Sequence, residues 1–377
     1  MRKRRIDEFM LKGDFTKKVE YIPSTIKGKI TKDRLQGDRK MSDKFGIGLD
    51  VGTGFLVGAG FVNEEISFKA IRNAFMSVPK KQFNSLLFDK NNISYIEDND
   101  NFHIVGDDAL DFARIKNGSA QRPLEKGVLN PMEKASALIL REMFTFTFSS
   151  FIKKQGENLV FSIPGNQVDN ESFDTNYHMM SIRALCKKFG VSPIAINEAY
   201  AVAISELGTD VTTALSFSFG AGLVNCALTF KGLSMFEFSI EKSGDFIDSQ
   251  SSKAVGESVS VMSKIKETEL DLSKDEFEVS DEERALIFSY EYVIKNTLDN
   301  VKRAFLSNKD KVKLFDAIPI VISGGTSMPK GFIDRFKQEI DYVKLPFKVS
   351  EVIHAENPLT SVAKGCLLYA NSMECQE

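Results

Sequence analysis

Two stretches decide the fold: Ile47–Gly60, IGLDVGTGFLVGAG, and Leu215–Leu228, LSFSFGAGLVNCAL. Each reads as an apolar strand, a tight x-Gly-x-Gly turn and a second apolar strand, the pattern of a hairpin whose turn leaves no room for side chains. Gly52 and Gly54 recur as Gly220 and Gly222, whereas Asp50, just before the first turn, is answered by Ser218 before the second. A third strand follows each hairpin, in ISFKAIRNAF at 66–75 and in GLSMFEFSI at 232–240. The two triple-strand blocks read as an internal duplication; two copies are too few for a solenoid.

Both blocks lead into alternating strands and helices. After the first come a mixed, Asn- and Asp-rich stretch at 76–118, a helical pattern at 132–154, a strand NLVFSIPG at 158–165, an amphipathic helix at 171–190, a strand at 191–196 and a helix from Asn197 to Gly208. After the second come a polar, helix-prone stretch at 244–282, a long helix at 282–307, a buried strand AIPIVISGG at 317–325, a helix at 328–340 and a last helix opened by Asn357-Pro358. With 377 residues, 42% hydrophobic and 27% charged, the chain is long enough for two lobes with substantial cores.

Composition excludes several classes. The four cysteines have no C-x-x-C spacing and the three histidines lie far apart, which argues against a structural zinc site or a Cys/His nucleophile. No apolar run has the length of a bilayer span and no hydrophobic signal segment opens the chain, so the expected compartment is the cytoplasm. Residues 1–40 carry 13 Lys/Arg against 6 Asp/Glu, leaving the rest near −10 of a formal net −3. This basic leader, taken to residue 44, reads as a disordered arm for an acidic surface or nucleic acid, an extension upstream of a true start at Met41, or a solvated tail. It is hardly amphipathic, so it carries no membrane signal, and its aromatics are too sparse for a clear nucleic-acid signal.

Backbone N–H groups converging in a glycine turn bind phosphate well. One such hairpin is an ordinary β-turn, but two matched copies followed by Gly324-Gly325-Thr326-Ser327 point to a nucleotide held between two lobes, its adenosine against the last glycine pair. With these residues in view, the chain resembles the actin, Hsp70 and sugar-kinase superfamily, and within it the bacterial actins of the MreB and MamK type. Five motifs over about residues 45–372 carry the resemblance, in family order: GLDVGTG at 48–54, INEAYAVAI at 196–204, SFGAG at 218–222, VISGGTSMPKGFIDRF at 321–336 and NPLTSVAKG at 357–365. RPLEKGV at 122–128 and SGDFID at 243–248 are also MreB-like.

The resemblance implies an α/β chain of the actin-like ATPase fold, with two duplicated ribonuclease-H-like lobes around a nucleotide cleft. Lobe I is expected at 45–207 with an insertion at about 73–118, lobe II at 208–356 with one at about 244–300, and residues 357–377 as a helix returning to lobe I. It implies ATP or ADP with Mg2+ as cofactors. Asp50 would hold the ion through water, and Gly52, Thr53 and Gly54 with Ser218, Gly220, Ala221 and Gly222 would take the phosphates. Gly324, Gly325 and Thr326 would border the adenosine. Glu198 would orient the attacking water, though a carboxylate there also suits a helix N-terminus. Lys266 would lie near the ribose or adenine, or be a solvated lysine in a charged helix. With Ser218 in the family's Asp position, one carboxylate near the metal is missing, which implies nucleotide binding with slow or altered hydrolysis. The functions implied are an ATP-dependent cytoskeletal filament that self-associates and carries an unknown adaptor or cargo, or a non-polymerising, Hsp70-like or adaptor-type module. A small-molecule kinase would need a second carboxylate base, and no motif supplies one.

Overall fold

In the computed structural model the description covers Lys27–Gly28 and residues 44–374, except 81–84, 117–119, 131–134, 170–174, 210–212, 276–277, 309–313 and 315. The basic leader therefore lies outside the described residues, apart from Lys27 and Gly28, which run antiparallel to Ser67 and Ile66 at a sheet edge. Two compact units divide the chain: residues 1–161, 176–195 and 366–377 form the first, residues 162–175 and 196–365 the second.

The sheet of the first unit runs, from the Lys27–Gly28 edge inward, Glu65–Arg72, Phe55–Val62, Ile47–Val51, Asn158–Ile163 and Ser192–Asn197. Three strands meander antiparallel, and the strand Asn158–Ile163 then joins Ile47–Val51 in parallel, Leu159 opposite Ile47. The second unit repeats this order with Leu233–Ile240, Val224–Phe230, Ala214–Phe219, Ile318–Ser323 and Val349–His354. Again the first of its strands pairs in parallel with the fourth, Leu215 opposite Ile320. The duplication read from two glycine turns is thus a duplication of whole sheet topology.

Both faces of the central strands are covered, so even the polar residues Ser216 and Ser218 are buried beside Leu215, Phe217 and Phe219. Every residue of Ala214–Phe219 is buried. Beneath it Phe219 meets Phe332 edge-on with centroids 5.2 Å apart, and Phe217 meets Phe336 at 5.7 Å. The long helix Asp281–Ser307 starts on a capping box, Ser280 bonding the Glu283 amide while the Glu283 carboxylate bonds back to the Ser280 amide, and it buries Leu286, Tyr290, Val293 and Leu298.

Between the third and fourth strands each unit carries extra elements. In the first, strands Phe75–Pro79, Asn101–Val105 and Tyr95–Glu97 form a small sheet with helices Ser85–Lys90 and Asp107–Ile115 around Val78, Phe88, Phe102 and Ile104. In the second, helices Gly244–Val255 and Val259–Thr268 precede the long helix. Several helix bounds differ from expectation, among them the helix at 328–340, which is Phe332–Val343. The helix at 132–154 is Ser136–Thr147, followed by a separate 3-10 turn at Ser149–Phe151. The last helix begins at Ser361 rather than at Pro358, because the Asn357 side chain and carbonyl first close a turn onto Leu359, Thr360 and Ser361. Helix Glu198–Leu207 falls in the second unit, where the Ser216 hydroxyl bonds the Ala199 carbonyl at 2.6 Å.

Candidate functional site

The two glycine turns are closed by the same hydrogen bond: Gly52 N–H to the Phe55 carbonyl at 3.1 Å and Gly220 N–H to the Leu223 carbonyl at 2.9 Å. In both, the protein takes the carbonyls. The Gly52 oxygen accepts from Asn73 Nδ2 at 2.9 Å and the Gly54 oxygen from Asn73 N–H at 2.9 Å. The Gly220 oxygen accepts from the hydroxyls of Ser243 at 2.6 Å and Thr326 at 2.8 Å, and the Ala221 oxygen from Asp245 N–H at 2.7 Å. A trans peptide is planar with N–H and C=O opposed. Drawing the Gly52, Gly220 and Ala221 oxygens into the protein therefore turns the N–H groups of Thr53, Ala221 and Gly222 the other way, the arrangement of an anion-binding turn.

In the first unit Asp50 stands at the end of the strand before the turn, with Val57 opposite it. The Thr53 side chain is buried, its hydroxyl accepting from Gly127 N–H at 2.9 Å, so RPLEKGV supplies a brace for the first turn. That hairpin, Leu124–Glu125 with Val128–Leu129, is held from beyond its far strand by Leu129 N–H donating to His178 Nδ1 at 3.2 Å.

His178 is wholly buried, and burial alone brings its imidazole down to about 4 from an ordinary 6.5. The unfolded chain thus takes up this proton first as pH falls, so the contribution is full above about pH 6.5 and is lost between 6.5 and 4, roughly 3 kcal/mol in all. Thermal melts at pH 7.5 and 5 should show Tm falling at the lower pH, and His178→Phe should flatten that fall. Identical pH slopes in both proteins would assign the effect to other groups.

In the second unit Ser218 is buried, with Asn225 opposite it on one side and Ser323 on the other. Glu198 opens its helix, whose N-cap Asn197 accepts from Ala199 and Tyr200 N–H. The Glu198 carboxylate, buried to 8% exposure, accepts from Asn225 Nδ2 at 2.8 Å. Asn225 Oδ1 in turn accepts from Gly165 N–H at 3.0 Å, which fixes the amide with its donor toward Glu198. Ser218 thus faces the asparagine that orients the Glu198 carboxylate.

Gly324 has φ 96°, and a β-carbon there would overlap the Phe219 carbonyl, so the chain needs glycine at that point. Gly325 is exposed and begins the 3-10 turn that carries buried Thr326. Ser327 donates to the Gly324 carbonyl at 2.7 Å and bonds His354 Nε2 at 3.0 Å. Lys266 is neither solvated nor loose: its ammonium pairs with Asp248 at 2.8 Å and donates to the Gly244 carbonyl at 3.0 Å. Burial raises the Asp248 carboxyl, and Lys266 opposes that rise.

The structure thus gathers Gly220, Ala221, Gly222 and Thr326 at one turn, with Lys266 attached through Gly244, and sets Ser218 beside the Asn225 that holds Glu198. Asp50 and Gly52–Gly54 belong to the first unit. Sequence reasoning missed Asn73, Asn225 and Ser243. Asn225 had a signal, an amide inside the apolar run LVNCALTF, and Ser243 opens the motif SGDFID; Asn73 had none beyond polarity at a strand end. Among the described residues no cluster of three or more His, Cys, Asp or Glu side chains is placed to hold a metal.

Solved structures of the same fold include the MamK double helical filament, with a TM-score of 0.64 at 16% identity over 87% of this chain and 99% of that one. MreB5 of Spiroplasma citri bound to ADP gives 0.61 at 17% identity, covering 88% of this chain and 98% of that one. The ethanolamine utilization protein EutJ from Carboxydothermus hydrogenoformans gives 0.52 at 14% identity, covering 88% and 92%. These likenesses establish the actin-like ATPase fold. No curated protein matches the chain. The family model described as Volactin matches residues 45–370, nearly everything after the basic leader, and the chain belongs to that family.

Proposed function

We propose that this chain is an actin-like nucleotide-binding protein that assembles into ATP-dependent cytoskeletal filaments in the cytoplasm and hydrolyses ATP slowly. The observation that carries the reading is the pair of matched turns whose carbonyls are taken by Asn73, Ser243, Thr326 and the Asp245 amide, leaving N–H groups directed away from the protein. The closed turns themselves require glycine: a β-carbon at Gly52 would lie 2.8 Å from the Phe55 carbonyl and one at Gly220 3.0 Å from that of Leu223. Filament formation is supported by likeness to the MamK double helical filament, and an adenine nucleotide by likeness to MreB5 bound to ADP or AMPPNP. Among the described residues no helix is long and apolar enough to cross a membrane.

The residues present fit magnesium in its usual manner, with one or two carboxylates beside substrate phosphates rather than an all-protein cage. Asp50 would hold the ion through water. When bound, the ion supplies positive charge to the phosphate oxygens. Ser218 offers a hydroxyl but no charge, so the second turn binds phosphate through its backbone. Glu198, aimed by Asn225, accepts a proton from or orients the attacking water.

Sedimentation and light scattering with ATP, ADP and no nucleotide, followed by negative-stain imaging, test the proposal. Pelleting that requires ATP is expected. Binding of ATP without assembly at any concentration would favour the non-polymerising adaptor reading, and no nucleotide binding would remove both.

A further inference from the structure

Asn197, the residue before Glu198, carries a group that its capping role does not use. Its Oδ1 accepts from Ala199 N–H at 2.9 Å and from Tyr200 N–H at 3.3 Å, which settles the orientation of the amide, since the reverse would set donors against donors. The NH2 half of the same amide is therefore held at the helix N-terminus without serving it. Asn197 is 5% exposed, and its Nδ2 has no hydrogen-bond partner among the described residues. A donor left buried and unpaired costs about 1–3 kcal/mol. Capping alone does not call for it: serine holds such helix amides with a hydroxyl, as Ser258 and Ser280 do elsewhere in this unit. A buried donor that costs this much and caps nothing points to an acceptor that is not part of the chain.

Position indicates what that acceptor is. The first turn of the helix Glu198–Leu207 is tied to both strands that flank the second glycine turn. Ser216, on the strand entering Gly220–Gly222, donates to the Ala199 carbonyl at 2.6 Å, and Asn225, on the strand leaving it, donates to the Glu198 carboxylate at 2.8 Å. All of these groups belong to the second unit. We infer that Asn197 is a further catalytic residue for ATP hydrolysis, its side-chain NH2 donating a hydrogen bond to the oxygen of the water that attacks the terminal phosphate. One lone pair of that oxygen then accepts from Asn197 and the other forms the bond to phosphorus. The bond from phosphorus to the bridging oxygen breaks, ADP leaves with its electron pair, and the water's proton passes to Glu198. This inference rests on the nucleotide reading of the site and on Glu198 as the group that takes the proton.

The test is single-turnover hydrolysis of magnesium-ATP by the full chain, beside equilibrium ATP binding and Tm, for wild type, Asn197→Ser and Asn197→Asp. Serine and aspartate cap a helix as well as asparagine does and bring no NH2, so Tm and ATP affinity should stay close to wild type. Hydrolysis should slow about tenfold in both, the loss of one hydrogen bond at the nucleophile. In a Glu198→Gln background the same asparagine changes should cost clearly less, because both residues act on one water. Wild-type turnover in both variants would overturn the inference, as would a loss that appears only together with lower Tm and weaker binding, or a full tenfold loss in the Glu198→Gln background. If the wild-type chain failed to hydrolyse ATP, or Glu198→Gln left turnover unchanged, the reading on which the inference rests would fall instead.

Discussion

Glu198→Gln is expected to lower ATP turnover by about 10²- to 10⁴-fold, the range for removing a general base, while leaving nucleotide affinity and Tm close to wild type. The selectivity follows from the hydrogen bonding. Asn225 presents its amide donor to Glu198 because Gly165 N–H occupies its oxygen, and a glutamine can offer that donor its own carbonyl oxygen. The buried contact therefore survives, and what disappears is the negative charge and its capacity to take a proton. Single-turnover measurements with saturating ATP, beside equilibrium binding and a thermal melt, separate the effects. If binding and melting temperature fell together with turnover, Glu198 would be a helix-end carboxylate holding the fold, and the chemistry would belong to another group.

Replacing Gly365 by alanine should destabilise the second unit by at least about 3 kcal/mol, at or beyond the upper end of the usual cost of overpacking. The sign of the effect is the test. Gly365 lies inside the helix Ser361–Glu374, where alanine is intrinsically favoured over glycine by about 1 kcal/mol. A β-carbon at Gly365, however, would fall on the backbone carbonyl of Ala201 in helix Glu198–Leu207, and a helical carbonyl cannot swing aside as a flexible side chain does. Alanine should thus lower the denaturant midpoint markedly, and a total stability of about 5–15 kcal/mol leaves little reserve. A raised midpoint would mean that the two helices do not approach each other at this residue. Because the first of these helices also carries Glu198, partial accommodation of the clash should appear as reduced turnover before global unfolding.

The amino-acid sequence by itself determined the repeated hairpins, the glycine positions in both turns, the apolar strands behind them and the serine that stands in the second hairpin where the first has Asp50. These features are local: period, turn chemistry and burial preference are expressed within about ten residues, and each works the same way wherever the segment ends up. The tertiary structure alone decided which groups brace the turns. Thr53 meets Gly127 at a separation of 74 residues and Thr326 meets Gly220 at 106, pairings that exist only because the strand order of each unit brings the segments side by side. The same holds for Asn225, which bonds Glu198 at a separation of 27 residues, and for Lys266, whose charge faces Asp248. A polar side chain finds its partner only after backbone pairing has fixed the positions of both, and no local pattern in the chain records that choice.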